Sequence, residues 1–400
     1  MNFTELKELD KTYIANTYNR SNVLADAGKG ATLQGEKGQK YIDFSSGIGV
    51  NSLGFCAPGW AEAVKKQVDT LAHMSNLYYT QPQIEVAETL CKRTGMKRVF
   101  FANSGAEANE GAIKTARKYG SDNHGPECCE IITLCNSFHG RTIATLAATG
   151  QDVFHKNFGP FPDGFVYAQA NDIADVKAKV SAKTCAIMME CIQGEGGVVP
   201  LDGDFVRDVA ALCGEKDILL VIDEVQTGVG RTGKFLCCEH FGVQPDVVTL
   251  AKGLGGGLPI GAVLFGEKTK DTLGIGDHGT TFGGNPVSCA GAGAVLKAID
   301  NPFLRDVSDK GDYLMEKLPG LPGITGVTGR GLMLGLSLRE GLVSAEVARA
   351  CAENGLIVLT AKQKVRLLPP LNISREDLDA GLKILGDTLA AMMTQGGVEK

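Results

Sequence analysis

The sequence predicts an α/β fold, a mostly parallel sheet flanked by helices in a large domain, with a smaller α+β domain beside it. From about 96 to 265 the chain repeats one theme, an apolar run followed by a turn and a helical pattern. Such alternation builds parallel sheets. Runs such as Ile218-Leu-Leu-Val-Ile222 are apolar at every position, as expected of strands covered on both faces. Over the last hundred residues the pattern changes to helices separated by isolated apolar runs.

Taken in order, residues 1–50 read as a segment packing with the small domain, 51–304 as the large domain and 305–400 as the C-terminal α+β domain. Arg98-Val-Phe-Phe101 is the first strand of the sheet. It leads through Asn103-Ser104-Gly105 into the helix former AEANEGAIKTARKYG. Strands follow at Glu130–Leu134, Thr184–Met189, Ile218–Ile222 and Val247–Leu250, and another apolar run ends at Phe265. Beyond 300, helix patterns at 303–317, 344–353 and 375–393 alternate with apolar runs at Leu332–Leu338 and Leu356–Leu359. Ser374-Arg-Glu-Asp377 has the form of a capping box for the final helix.

Composition narrows the function classes. Hydrophobic residues make up 44% and charged residues 22%, within the range of water-soluble globular proteins. A net charge of −6 with no long basic run disfavours nucleic acid and anionic membrane as partners. The start, MNFTELKELDKTYI, does not resemble a secretory signal, so a cytoplasmic location is expected. The twelve cysteines include adjacent pairs at Cys128-Cys129 and Cys237-Cys238 but no C-x-x-C, so reduced thiols and no metal site are expected.

One stretch raises a chemical question. In DVVTLAKGLGGGLPIGAVLFG, Lys252 stands where the strand Val247–Leu250 gives way to Gly253, Gly255, Gly256 and Gly257. It is either a solvated lysine at a strand end or an amine in a closed site whose glycines let a ligand approach the backbone. Asp223, at the end of Ile218–Ile222, is either a cap on a turn or a carboxylate that needs a cation or several donors. A lysine able to form a Schiff base and an acid able to hold a pyridine nitrogen protonated are the protein's share of pyridoxal phosphate chemistry. Ser104-Gly105-Ala106, between a strand and a helix, offers backbone N–H groups at a positive helix end, suited to a phosphate or simply to a helix cap. Gly228-Val-Gly-Arg-Thr-Gly-Lys234 matches two nucleotide-binding patterns, but Phe235 replaces the required Ser or Thr and no persuasive helix follows.

FFANSGAEANEGAIKTARKY, SFHGRTIATLAATG, IQGEGGV, VIDEVQTGVGRTGKF, AKGLGGGLPIGAV and HGTTFGGNP occur in the order found in class III pyridoxal-phosphate aminotransferases, and the chain resembles that family over nearly its whole length. The resemblance implies a fold-type I subunit, a homodimer and the cofactor pyridoxal 5′-phosphate. By motif, Lys252 holds the cofactor and moves the proton, and Asp223 pairs with the ring nitrogen. Val225 and Phe138 sandwich the ring, and Gln226 reaches its phenolic oxygen. Gly105 and Ala106 bind the phosphate, joined by Thr281 of the neighbouring subunit. Arg141 and Thr280 contact substrate, while Glu195 and Arg366 resemble a switch that masks and frees an arginine.

NTYNR, GKGATL and YIDFSSGIGVNSLGF are most similar to the branch acting on the terminal amine of N2-acetylornithine, with 2-oxoglutarate as acceptor. Ornithine, N-succinyldiaminopimelate, succinylornithine and 4-aminobutyrate are rival donors. The chain departs from the family at Ala106, where threonine is usual in the phosphate turn, at LGFCAP, and at Cys191, where proline is common. His139 reads as structural.

Overall fold

The structure, a computed structural model, describes residues 1–395. Its centre is a seven-stranded sheet, numbered along the chain as β1 (Arg98–Ala102), β2 (Glu130–Leu134), β3 (Phe165–Ala168), β4 (Thr184–Met189), β5 (Leu219–Asp223), β6 (Val247–Leu250) and β7 (Gly261–Phe265). In space they run β1-β7-β6-β5-β4-β2-β3. Only β7 is antiparallel to its neighbours, β6 and β1. β4, β5, β6 and β7 are buried at every position, which explains their unbroken apolar runs.

The expected strands coincide with the observed ones to within a residue, and β3 was not legible. It is a short Phe-Val-Tyr-Ala edge strand, mostly half-buried, so neither a continuous apolar run nor a clean alternation marks it. The helix after β1 spans Gly105–His124. Ser104 caps it by accepting from the N–H of Glu107, and the Glu107 carboxylate turns back to accept from the N–H of Asn103.

Two smaller sheets flank the C-terminal region. One is ordered Ile324–Arg330, Met333–Leu338, Lys364–Leu367, Leu359–Ala361. The other combines Ala27–Lys29, Thr32–Gln34 and Lys40–Asp43 with Leu356–Ile357. The apolar run Leu356–Leu359 is therefore two strands, not one. It leaves the sheet of the N-terminal segment at Val358 and enters the other, so both sheets need apolar residues from one continuous run. Ser374 caps the last helix, Arg375–Gln395, by accepting from the N–H of Asp377.

The turn Gly228–Lys234 has a structural task. It inserts the fully buried guanidinium of Arg231, which donates to the carbonyls of Leu332 (2.9 Å) and Pro369 (2.5 Å) and to Ser46 Oγ (3.3 Å). One side chain thus ties the N-terminal segment, the central sheet and the C-terminal region. Burial pulls its pKa down to about 9 against the opposing charge of Asp43. Gly233 in this turn has φ +87°, and a side chain there would meet Ser308 Oγ at 2.1 Å. No helix among the described residues is long and apolar enough to cross a membrane.

Candidate active site

Ligands of open parallel sheets gather beyond the carboxyl ends of the strands, and a cavity of 460 Å³ lies there. β1 delivers Ser104, Gly105 and Ala106 to its wall, β2 Phe138 and Arg141, β5 Asp223, Val225 and Gln226, and β6 Lys252. Four separate strand ends thus bring together most of the residues singled out in the sequence.

Lys252 lies two residues past the end of β6, with φ +41° in the left-handed region, and lines the cavity. Burial lowers the pKa of its amine, against the raising influence of Glu195 and Asp223. No carboxylate lies within ion-pair distance of Lys252 among the described residues, so the amine is available for chemistry. The glycine loop behind it is anchored by Trp60, whose indole donates to the carbonyl of Gly255 at 2.9 Å. A side chain at Gly256 would meet the same indole at 2.8 Å.

Asp223 is almost completely buried and does not turn to Lys252. Its Oδ1 accepts from the N–H of Val225 (2.9 Å), and its Oδ2 accepts from Asn109 (2.7 Å) and faces His139 Nδ1 (2.8 Å). Burial by itself would lower the His139 pKa, and the Asp223 carboxylate reverses this and raises it. Asn109 is held in turn by Thr249 Oγ1, which donates to its Oδ1 at 2.7 Å. Three donors fix an anion at the cavity floor, the requirement that the sequence posed for a strand-end aspartate.

Around that floor the walls are apolar and close. Val225 sits so near Gly105 that a side chain on the glycine would lie 2.6 Å from Val225 Cγ1. Phe138 packs edge-on against Phe154 (centroids 5.8 Å apart), and the Arg141 guanidinium lies 4.2 Å from the Phe154 centroid and 5.6 Å from that of Phe138. Arg141 is exposed at the rim, with no carboxylate in ion-pair range among the described residues. Arg366, from strand Lys364–Leu367, is buried and donates to Glu195 at 2.5 Å and to Gln226 Oε1 at 3.1 Å. Burial would raise the Glu195 pKa, but Arg366 outweighs it and holds the carboxyl below its usual value. Gln226 completes the group by donating to Glu195 at 3.4 Å.

Thr280 and Thr281 stand apart from the cavity lining. Thr280 Oγ1 accepts from Asn103 Nδ2 and from the N–H of Gly283, both at 3.2 Å, while Thr281 is exposed. Three residues of the site were missed in the sequence: His139, Asn109 and Glu190. His139 lay inside a recognised stretch, but only the fold reveals that it meets Asp223. A polar residue at the end of an all-buried strand was the available signal for Glu190, as it was for Asp223.

The chain belongs to the class-III aminotransferases: the family model "Aminotransferase class-III" matches residues 13–389. These enzymes depend on pyridoxal 5′-phosphate, and the residues present fit that group. The hydrogen-bonded Asp223 carboxyl, the apolar side chains of Val225 and Phe138, the Lys252 amine and the start of a 20-residue helix line one cavity. The acetylornithine aminotransferase of Haemophilus ducreyi is 51% identical, covering 98% of this chain and 100% of that one. Among solved structures, ornithine aminotransferase from Toxoplasma gondii superposes with a TM-score of 0.94 at 30% identity, over 99% of this chain and 96% of that one. N-acetylornithine aminotransferase from Stenotrophomonas maltophilia gives a TM-score of 0.84 at 35% identity, over 97% and 99%.

Proposed function

We propose that the protein moves the terminal amino group of N2-acetyl-L-ornithine to 2-oxoglutarate, giving N-acetyl-L-glutamate 5-semialdehyde and L-glutamate. The observation that carries this reading is the unequal state of two arginines. Arg141 is free at the cavity rim, whereas Arg366 is neutralised by Glu195. A donor with its amine far from its carboxylate needs only the first. Glutamate, with an amine beside one carboxylate and a second carboxylate further off, needs both.

Bound in the cavity, pyridoxal phosphate would supply a carbonyl that condenses with amines and a ring that draws electrons from the adjacent carbon. The chain's residues do the rest. Asp223 would hold the ring nitrogen protonated, and Val225 and Phe138 would pack against the ring. Gln226 would reach the phenolic oxygen, and the N–H groups of Gly105 and Ala106 would receive the phosphate. Lys252, its pKa lowered by burial, would hold the cofactor and would serve as the base that moves the proton. Arg141 would grip the donor carboxylate, and Thr280 would contact the substrate in the partner's site.

The working unit in this reading is a cytoplasmic homodimer. Leu77, Tyr79, Ile275 and Phe282 are exposed, Phe282 rests on His73 (centroids 5.2 Å), and Asn76 ties the first loop to the carbonyl of Gly283. A joined apolar surface of this kind is suited to a second copy. Thr281, exposed on the same surface, then reaches the partner's phosphate. Each chain divides into a large cofactor-binding domain, 51–304, and a small domain, 305–400, with residues 1–50 packed on the latter.

A donor panel tests the substrate. With 2-oxoglutarate as acceptor, kcat/KM should be highest for N2-acetylornithine among ornithine, succinylornithine, N-succinyldiaminopimelate and 4-aminobutyrate. A tenfold preference for any other donor would overturn the assignment. Lys252→Ala should abolish turnover with every donor, and borohydride reduction followed by peptide mapping should place the cofactor on Lys252.

A further inference from the structure

β4 and β5 are parallel neighbours in which Met189 lies opposite Ile222. The next residue on each strand is a carboxylic acid, Glu190 and Asp223, and both line the cavity floor. Each is almost fully buried. Two adjacent buried carboxyls do not share a site as equals, because each ionised form opposes the other. Their surroundings separate them. Asp223 has the N–H of Val225, the amide of Asn109 and the His139 ring. Glu190 has only two backbone donors, the N–H of Phe138 at 2.9 Å and that of Gly194 at 3.3 Å, and no cation within ion-pair range among the described residues. The other nitrogen of His139, Nε2, is buried without a partner.

From this arrangement we infer that Glu190 is a positioning residue that stores a proton for the site. It gains and loses that proton and so sets the charge felt by the nitrogen on Lys252. The inference rests on the reading of Lys252 and Asp223 given above. Burial raises the Glu190 pKa to about 7, with nearby Asp223 also raising it and His139 acting the other way. The charged groups that act on Glu190 are His139 after β2 and Asp223 at the end of β5, while Lys252 after β6 feels Glu190 together with Glu195, Arg366 and Asp223. Ionised Glu190 favours a protonated nitrogen on Lys252. Protonated, it withdraws that support. One of its two backbone bonds also holds the N–H of Phe138, so the backbone of that aromatic residue and the charge are tied to one side chain.

The test follows the absorbance of bound cofactor against pH in the holoenzyme without substrate. It therefore reads the site independently of which donor the enzyme prefers. Glu190→Gln keeps the size and one acceptor but carries no charge. Its absorbance-detected pKa should fall by about half a unit to one unit, and Glu190→Asp, which restores the charge, should recover at least part of the shift. A Glu190→Gln titration that superimposes on the wild type, or that moves upward, overturns the inference. Infrared difference spectra of the holoenzyme between pH 6 and 8 give a second readout when wild type and Glu190→Gln are compared, because Glu224 is also raised to about 7 and contributes to both. A buried carboxylic-acid C=O band that disappears as pH rises should be present in the wild type and missing from Glu190→Gln, and identical difference spectra overturn the inference as well.

Discussion

His139 Nδ1 lies 2.8 Å from Asp223 Oδ2, with both side chains sealed from solvent. A carboxylate only accepts, so Nδ1 carries the proton and the pair is an oriented donor–acceptor unit. Asp223→Asn removes the anion, and His139→Phe removes one of its three supports. Single-turnover rates should fall by roughly a hundredfold or more in the first and about tenfold in the second, at about 1.4 kcal/mol per decade. Rapid-mixing absorbance with glutamate measures both. A wild-type rate for Asp223→Asn would remove Asp223 from the mechanism.

The Glu195–Arg366 pair yields a test of substrate alternation. Glu195→Ala frees Arg366 permanently, which should speed the glutamate half-reaction relative to that of the acylated diamine. The informative quantity is the ratio of the two single-turnover rates, expected to rise at least several-fold. Equal changes in both would mean that the pair is fixed scaffolding.

A mixed dimer tests the shared site. Combining Lys252→Ala subunits with Thr281→Ala subunits places both lesions in one site and neither in the other. Mixed preparations should recover up to half of wild-type activity although each parent is impaired. Heterodimers that form and show no recovery would mean that Thr281 serves its own subunit.

A fourth expectation concerns pH and stability away from the cavity. Glu224 is buried, accepts from Thr227 Oγ1 and from the N–H of Cys238, and has its pKa raised to about 7 by loss of hydration. The folded state therefore holds a proton that the unfolded state has already released between the ordinary glutamate range and about 7. Stability from this group is present at low pH and declines as pH rises through that window. Glu224→Gln should raise Tm more at pH 8 than at pH 5, by differential scanning fluorimetry of the apoprotein. The reverse order would show that the carboxyl is stabilised as an anion.

The parts of the fold written as buried strands were legible because each strand is a single continuous apolar run between turns. Lys252 and Asp223 were legible for the opposite reason: a charged residue directly after such a run contradicts its surroundings. β3 escaped because a half-buried edge strand has no such signature. The break at Val358 escaped because one apolar run serves two sheets, which sequence pattern alone does not divide. His139, Asn109 and Glu190 escaped since their significance lies in meeting Asp223 or its neighbourhood across separations of 84, 114 and 33 positions, the last by strand register. Arg231 was hidden in a motif that resembles nucleotide binding, and only the contacts of its guanidinium reveal a structural tie.

Trp60 is the only tryptophan in the chain, and its indole is bonded to the loop that begins at Lys252. All indole fluorescence therefore originates beside the cofactor seat. A chromophore absorbing in the range of that emission, seated on Lys252, accepts its excitation energy, so the unlabelled protein reports its own loading as a loss of fluorescence. Movements of the glycine loop during turnover are readable through the same single emitter.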